Sequence, residues 1–328
     1  MISVLTGGTG GAKFVDGLRQ VLPPEDITLI VNTGDDLMWW GLYVSPDIDS
    51  VTYVLSGMLS RERGWGVKGD TFLCLDAMGQ LGEPTWFHTG DRDLAMHLVR
   101  SRLLAEGKTL SEATAVISRK LGLKTRILPM SNSRVETRID TAVGELSFEE
   151  YFVERCYQDP VKSVRFRGAS DAEAAPGVID AITDADAVLI APSNPVTSIG
   201  PILAVPGIGD ALRRARGKIA AVSPIVGNAP VAGPAGILME AEGFPCSIAG
   251  VAEAYADFLD ILICDSRDDR AAEALRQTGL RVECTQTIMR SSEDKAALAR
   301  ETLSLATANL FPEKPASDTS FHLLDRLP

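Results

Sequence analysis

Short apolar runs return along this chain, and each delivers into a loop of glycine, serine, asparagine or aspartate and then into a helical pattern. Ser3–Leu5 precedes a helix over Ala12–Leu22, and Thr28–Val31 precedes an acidic loop and a helix through Val51–Leu59. Ala187–Ile190, Lys218–Val222 and Ile261–Cys264 continue the alternation. Strands without a polar face that alternate with helices belong to a parallel sheet covered on both sides. The chain is therefore expected to form an α/β fold: a doubly wound, Rossmann-like, mainly parallel sheet in one domain over residues 1–328. The middle reads differently. Leu94, His97, Leu98 and the Leu103-Leu104 pair share a helical face, and a second helix is expected from Ser111 with Glu112 behind it. Arg126–Met130 and Val135–Ile139 read as short strands and Phe148–Glu154 as another helix. Residues 93–160 are accordingly expected as a largely helical insertion, either a lid over the carboxyl edge of the sheet or a part of the outer helical layer. The Pro-, Ser- and Asp-rich tail after Leu310 is expected at the periphery.

Open parallel sheets hold ligands outside the carboxyl ends of their strands, and the chemistry-bearing residues of this chain gather there. The first run opens into Gly7, Gly8, Thr9, Gly10 and Gly11 with Lys13 following, a turn suited to close backbone approach and to phosphate at a helix N-terminus. Its spacing is neither the Walker pattern nor GxGxxG. The second run opens into Asn32, Gly34, Asp35 and Asp36, with Asp47 and Asp49 close behind. Clustered carboxylates suit a hard cation, so Asp36, helped by Asp47 or Asp49, is the expected metal ligand. Asp36 and Asp49 are the expected catalytic acids. After Ala187–Ile190 come Ser193, Asn194, Pro195, Ser198 and Gly200 ahead of a helix starting at Pro201, and Ser223 follows the next strand; these offer a second phosphate cradle. Asp91 or Asp93 is placed to cap the next helix, with Arg92 between them positioned for a phosphate or a ring.

The net charge of −12 excludes a sequence-independent grip on nucleic acid. An anionic substrate then needs local help from a divalent ion, helix N-termini and residues such as Lys13, Lys68 and Arg92. The five cysteines, Cys74, Cys156, Cys246, Cys264 and Cys284, form no CxxC pair, which fits reduced thiols. With no leader pattern after Met1, and with Pro224, Pro230 and Pro234 interrupting the apolar stretch 219–239, a cytoplasmic protein without a membrane span is expected. His88, His97 and His322 show no metal spacing. No GxSxG elbow or nucleophilic cysteine context is present, so covalent catalysis is not expected.

With these residues assembled, the chain resembles the 2-phospho-L-lactate transferase family (CofD, with its mycobacterial FbiA branch), which acts in biosynthesis of the deazaflavin coenzyme F-420. The matching stretches are GGTGGAKF at 7–14, NTGDD at 32–36, SPDIDSVTY at 45–53, RGWGVKGDTF at 63–72, WFHTGDRDLAMHLVR at 86–100, APSNPVTSIGPIL at 191–203 and SPIVGN at 223–228. The resemblance implies two ligands and Mg2+. A guanosine diphospho-ester of a three-carbon acid donates, the terminal ribityl hydroxyl of Fo (7,8-didemethyl-8-hydroxy-5-deazariboflavin) accepts, and GMP leaves. Asp49, Asp91, Arg92 and Trp39 are then the residues expected at Fo, with Trp39 and Trp86 available to stack on a flat ring. A homodimer is also implied. Two other readings differ in class. One is a non-catalytic, nucleotide-sugar-binding regulator of the related gluconeogenesis-factor-like group, against which LMWWGLYVSPDIDSV after the Asp-Asp pair counts. The other is an NAD(P)-dependent oxidoreductase, disfavoured by the missing GxGxxG spacing.

Overall fold

A computed structural model of the chain describes residues 1–307; the tail after Leu310 lies outside the described residues. The β1 (Ile2–Thr6), β2 (Ile27–Val31), β9 (Ala187–Ile190), β10 (Lys218–Val222) and β13 (Ile261–Asp265) strands join β5 (Arg126–Pro129) and β14 (Arg281–Thr285) in one seven-stranded sheet. Its order is β14-β13-β10-β9-β1-β2-β5, and every pairing is parallel. Every residue of β1, β2, β9 and β13 is buried, which explains why no polar alternation shows in those runs. Chain order runs outward from β1 through β2 to β5, then restarts at β9 on its other side. The loops that follow β1 and β9 therefore diverge and leave a crevice.

The first helix, α1 (Gly8–Val21), follows β1, and α2 (Pro46–Leu55) follows β2 after a small hairpin of β3 (Leu37–Trp39) and β4 (Leu42–Val44). Then come α3 (Leu73–Gln80), α4 (Asp91–Ala105) and α5 (Leu110–Lys120). The span 93–160, expected as a largely helical insertion or a part of the outer layer, is divided between layers. α4 packs on β4 and α5 on β5, while residues 126–129 are the edge strand of the main sheet itself, paired with β2. Beyond it β6 (Glu136–Thr141), β7 (Gly144–Ser147) and β8 (Val161–Arg167) make a separate antiparallel sheet, and the helix expected at 148–154 is a single wide π-turn, Glu150–Glu154. The α5 start also moves: Thr109 accepts from the Glu112 N–H and Glu112 returns to the Thr109 N–H, a capping box, while Ser111 bonds Asn132 instead. A two-residue hairpin, β11 (Ile225–Val226) with β12 (Ala229–Pro230), follows β10.

Candidate active site

Loops after β1, β2, β9, β10 and β14 line a cavity of about 1450 Å³. The segment 57–66, the Trp86–His88 stretch and the corner 148–154 close its sides. At its floor α1 starts from Gly7, whose extended backbone offers no side-chain cap, and Gly8, Thr9 and Gly10 of the first turn line the cavity. The Gly8 N–H donates to Asp47 Oδ1 at 2.6 Å. Gly10 is required by close approach: a Cβ there would lie 2.3 Å from the Pro192 carbonyl oxygen. Ser193 Oγ donates to the Gly7 carbonyl at 2.7 Å, fastening the loop after β9 to the loop after β1. Asn194 caps the π-turn Pro195–Ile199, and Ser198, Ser223 and the exposed Lys13 complete this end.

The acidic loop divides. Asn32 is fully buried, and its one amide group donates to both Asp35 Oδ2 (2.9 Å) and Asp47 Oδ2 (3.0 Å), tying the two carboxylates together at the cavity wall. Burial pushes Asp47 up to about 6, against the Gly8 and Asn32 donors. Burial, together with the charges of Asp47 and Glu149, holds Asp35 well above the usual carboxylate range. Thr137 lies close enough to Asp35 to moderate that rise, yet neither Asp35 Oδ1 nor the Thr137 hydroxyl completes a hydrogen bond. Burial and the charges of Asp47 and Asp36 push Glu149 up to about 8.

Two expected metal ligands are taken by other partners. Asp36 accepts from the Tyr43 hydroxyl (2.8 Å) and from Ser45 Oγ (2.7 Å) and does not line the cavity. Asp49 does line it, but the buried Arg100 guanidinium forks onto both its oxygens. His97 sits 3.5 Å from Asp49 and 3.5 Å from Asp93, and Tyr53 donates to Asp93. Among the described residues, Asp49, Asp93 and His97 form the one trio whose ligand atoms lie within 4.8 Å of each other. The expected Asp36–Asp47–Asp49 set is thus not assembled.

Three expected acceptor contacts also fall away from the cavity wall. Trp39 is 4% exposed and packs behind Trp86 and Phe87, with ring centroids 4.8 and 5.7 Å away. Asp91 accepts from the Leu73 and Cys74 N–H groups and so caps α3, while Asp70 accepts from Arg92 and Asp93 and caps α4. The Arg92 side chain donates to the Lys68 carbonyl. Gly11, Gly34, Pro195 and Gly200 shape the loops from beneath rather than lining the space. The rings that do line the cavity are Tyr53, Trp65, Trp86, Phe87, His88, His97, Phe148 and Phe152.

Residues 2–308 match the family described as 2-phospho-L-lactate transferase CofD. A 2-phospho-L-lactate transferase of Methanothermobacter thermautotrophicus is 45% identical over 300 residues, covering 92% of this chain and 96% of its own length. One of Methanosarcina mazei is 42% identical over 296 residues, covering 90% and 97%. The chain belongs to the CofD family. A crystal structure of a UPF0052 family protein from Bacillus halodurans shares the fold, with a TM-score of 0.64 at 16% identity over 92% of this chain and 98% of that one.

Within this CofD-family site, the acids Asp35, Asp47 and Glu149 have no Lys or Arg partner among the described residues, whereas Asp49 has Arg100. A divalent ion about 5 Å from Arg100 would meet repulsion of roughly 7 kcal/mol in an effective dielectric of about 20. The acids by the phosphate cradle thus lack a cationic partner, whereas Asp49 already has one. Sequence reading missed His97, Arg100, Tyr53 and Glu149. Asp93 and His97, four apart on α4, carried a legible signal; Glu149 carried none.

Proposed function

We propose that this chain is a Mg2+-dependent transferase that moves a phospho-acyl group from a guanosine diphospho-ester of a three-carbon acid to the terminal ribityl hydroxyl of Fo, releasing GMP. The observation that carries this reading is a single cavity of about 1450 Å³ whose wall combines a backbone phosphate cradle, acids without a Lys or Arg partner, and aromatic rings. Pockets for one drug-sized ligand run to about 1,000 Å³, so this one has room for two. The named relatives support the transferase over the regulator, and the Bacillus halodurans likeness speaks for fold alone.

In this mechanism the Gly7–Gly10 and Ser193–Ser198 loops hold the diphosphate through N–H groups and hydroxyls, with Lys13 at the rim. Asp47 and Asp35 would hold the divalent cation, which when bound would neutralise charge on the diphosphate. Asp49, fixed by Arg100 and flanked by His97, orients the attacking hydroxyl. No serine of the cavity wall pairs with a histidine among the described residues, and no cysteine lines it, so the hydroxyl attacks phosphorus directly. The test is to supply Fo, Mg2+ and each of the lactyl, enolpyruvyl and glyceryl donors and to follow GMP by chromatography. Release with one donor is expected. Binding of a nucleotide sugar without turnover of any donor would instead favour the regulator.

A further inference from the structure

Glu149 has no role in that mechanism, and its surroundings are unusual. It enters the cavity from the corner between β7 and the wide turn 150–154, about a hundred residues along the chain from Asp47. It is 6% exposed, yet among the described residues its carboxylate accepts no hydrogen bond and meets no Lys or Arg. A buried acid is normally paired, because water that solvates it has been removed. Here the acids within electrostatic reach, Asp36 and Asp47, share its sign. Nor is the corner loosely held: Phe148 stacks on Phe152 with centroids 5.4 Å apart, and Phe152 on Tyr157 at 5.7 Å.

An enclosed acid beside other acids, kept without a partner and facing a ligand cavity, is arranged for a positive ligand. We propose that Glu149 is a third carboxylate of the divalent-cation site, joining Asp47 and Asp35 from the corner ahead of the wide turn 150–154. This inference rests on the transferase reading, in which Asp47 and Asp35 hold the ion. The three acids are not closed on one another at ligand spacing, as Asp49, Asp93 and His97 are. With no partner to hold it back, the Glu149 side chain is free to turn inward when the ion enters.

Mn2+ binding to the full-length, substrate-free protein, read from the free-ion electron paramagnetic resonance signal with and without GDP, tests this directly. Glu149→Gln is expected to weaken Mn2+ by about tenfold or more, since affinity follows the number of charged ligands. Glu149→Asp, which keeps the charge, is expected to recover part of it, and both variants should melt cooperatively like the parent. Equal Mn2+ affinity in the parent and Glu149→Gln overturns the assignment while leaving the cation reading intact. So does a Glu149→Gln defect confined to the KM for Fo. A parent that binds no Mn2+ even with GDP overturns the cation reading itself. If Glu149→Gln melts early, failure of Glu149→Asp to bind Mn2+ better than Glu149→Gln is the overturning result.

Discussion

Asn32 decides which acids of the NTGDD stretch face the ligand. Its single amide group holds Asp35 and Asp47 at the cavity, while Tyr43 and Ser45 draw Asp36 the other way. Asp47→Asn is expected to abolish measurable Mn2+ binding, whereas Asp36→Asn should leave Mn2+ affinity within about twofold and chiefly lower the melting temperature through its lost hydrogen bonds. Calorimetry on both variants distinguishes these outcomes, and loss of Mn2+ binding in Asp36→Asn would restore that residue to the ion. A second expectation concerns pH. Asp47 at about 6 and Glu149 at about 8 both stand above their unfolded values near 4. Between about pH 4 and pH 8 the folded protein therefore holds more protons than the unfolded chain, and these groups' contribution to stability falls as pH rises through that window. Thermal melts should show a gentler decline for Glu149→Gln than for the parent, and a larger Mg2+-induced rise in Tm near pH 8 than near pH 5. Identical slopes would contradict this. A loop sequence shows that acids are present; which way each one turns depends on hydroxyls such as Tyr43 and on cations such as Arg100, supplied from elsewhere in the chain.

Helix ends account for much of the site's order. Asp70 caps α4 and Asp91 caps α3, an exchange that ties the cavity's 57–66 side to the helix carrying Asp93, His97 and Arg100. Asp70→Ala is expected to lower unfolding stability by about 1 kcal/mol in a urea titration, the usual magnitude for a lost cap. At the first turn of α1, Gly10→Val would push the Pro192 carbonyl away and part the two phosphate loops. The donor KM should rise about tenfold or more with the Fo KM nearly unchanged, and an unaltered GDP dissociation constant would refute the cradle. The β1, β2, β9, β10 and β13 strands were legible because their burial leaves largely apolar runs, whereas β14, half-exposed at the edge with the sequence RVECT, was missed. The partner of β5 was not legible either: nothing local in Arg126–Pro129 says that it returns to β2 across nearly a hundred residues, and so the span around it resembled an insertion.

Across the whole molecule, two ligands are expected to meet in one cavity and react without a covalent intermediate. A donor with chiral, isotopically labelled phosphorus should give inverted product; retention, or label held on the protein when Fo is left out, would exclude direct displacement. The sheet order has a consequence for how the chain is made. β1 is translated before the other strands of its sheet and ends up central, with β2 on one flank within thirty residues but β9 on the other only after residue 187. At roughly 5–20 residues per second the ribosome leaves that apolar edge open for about 10 to 40 s. During this interval nascent chains that crowd together can pair through β1, and slower elongation or a holding chaperone becomes the variable that sets the yield of folded enzyme.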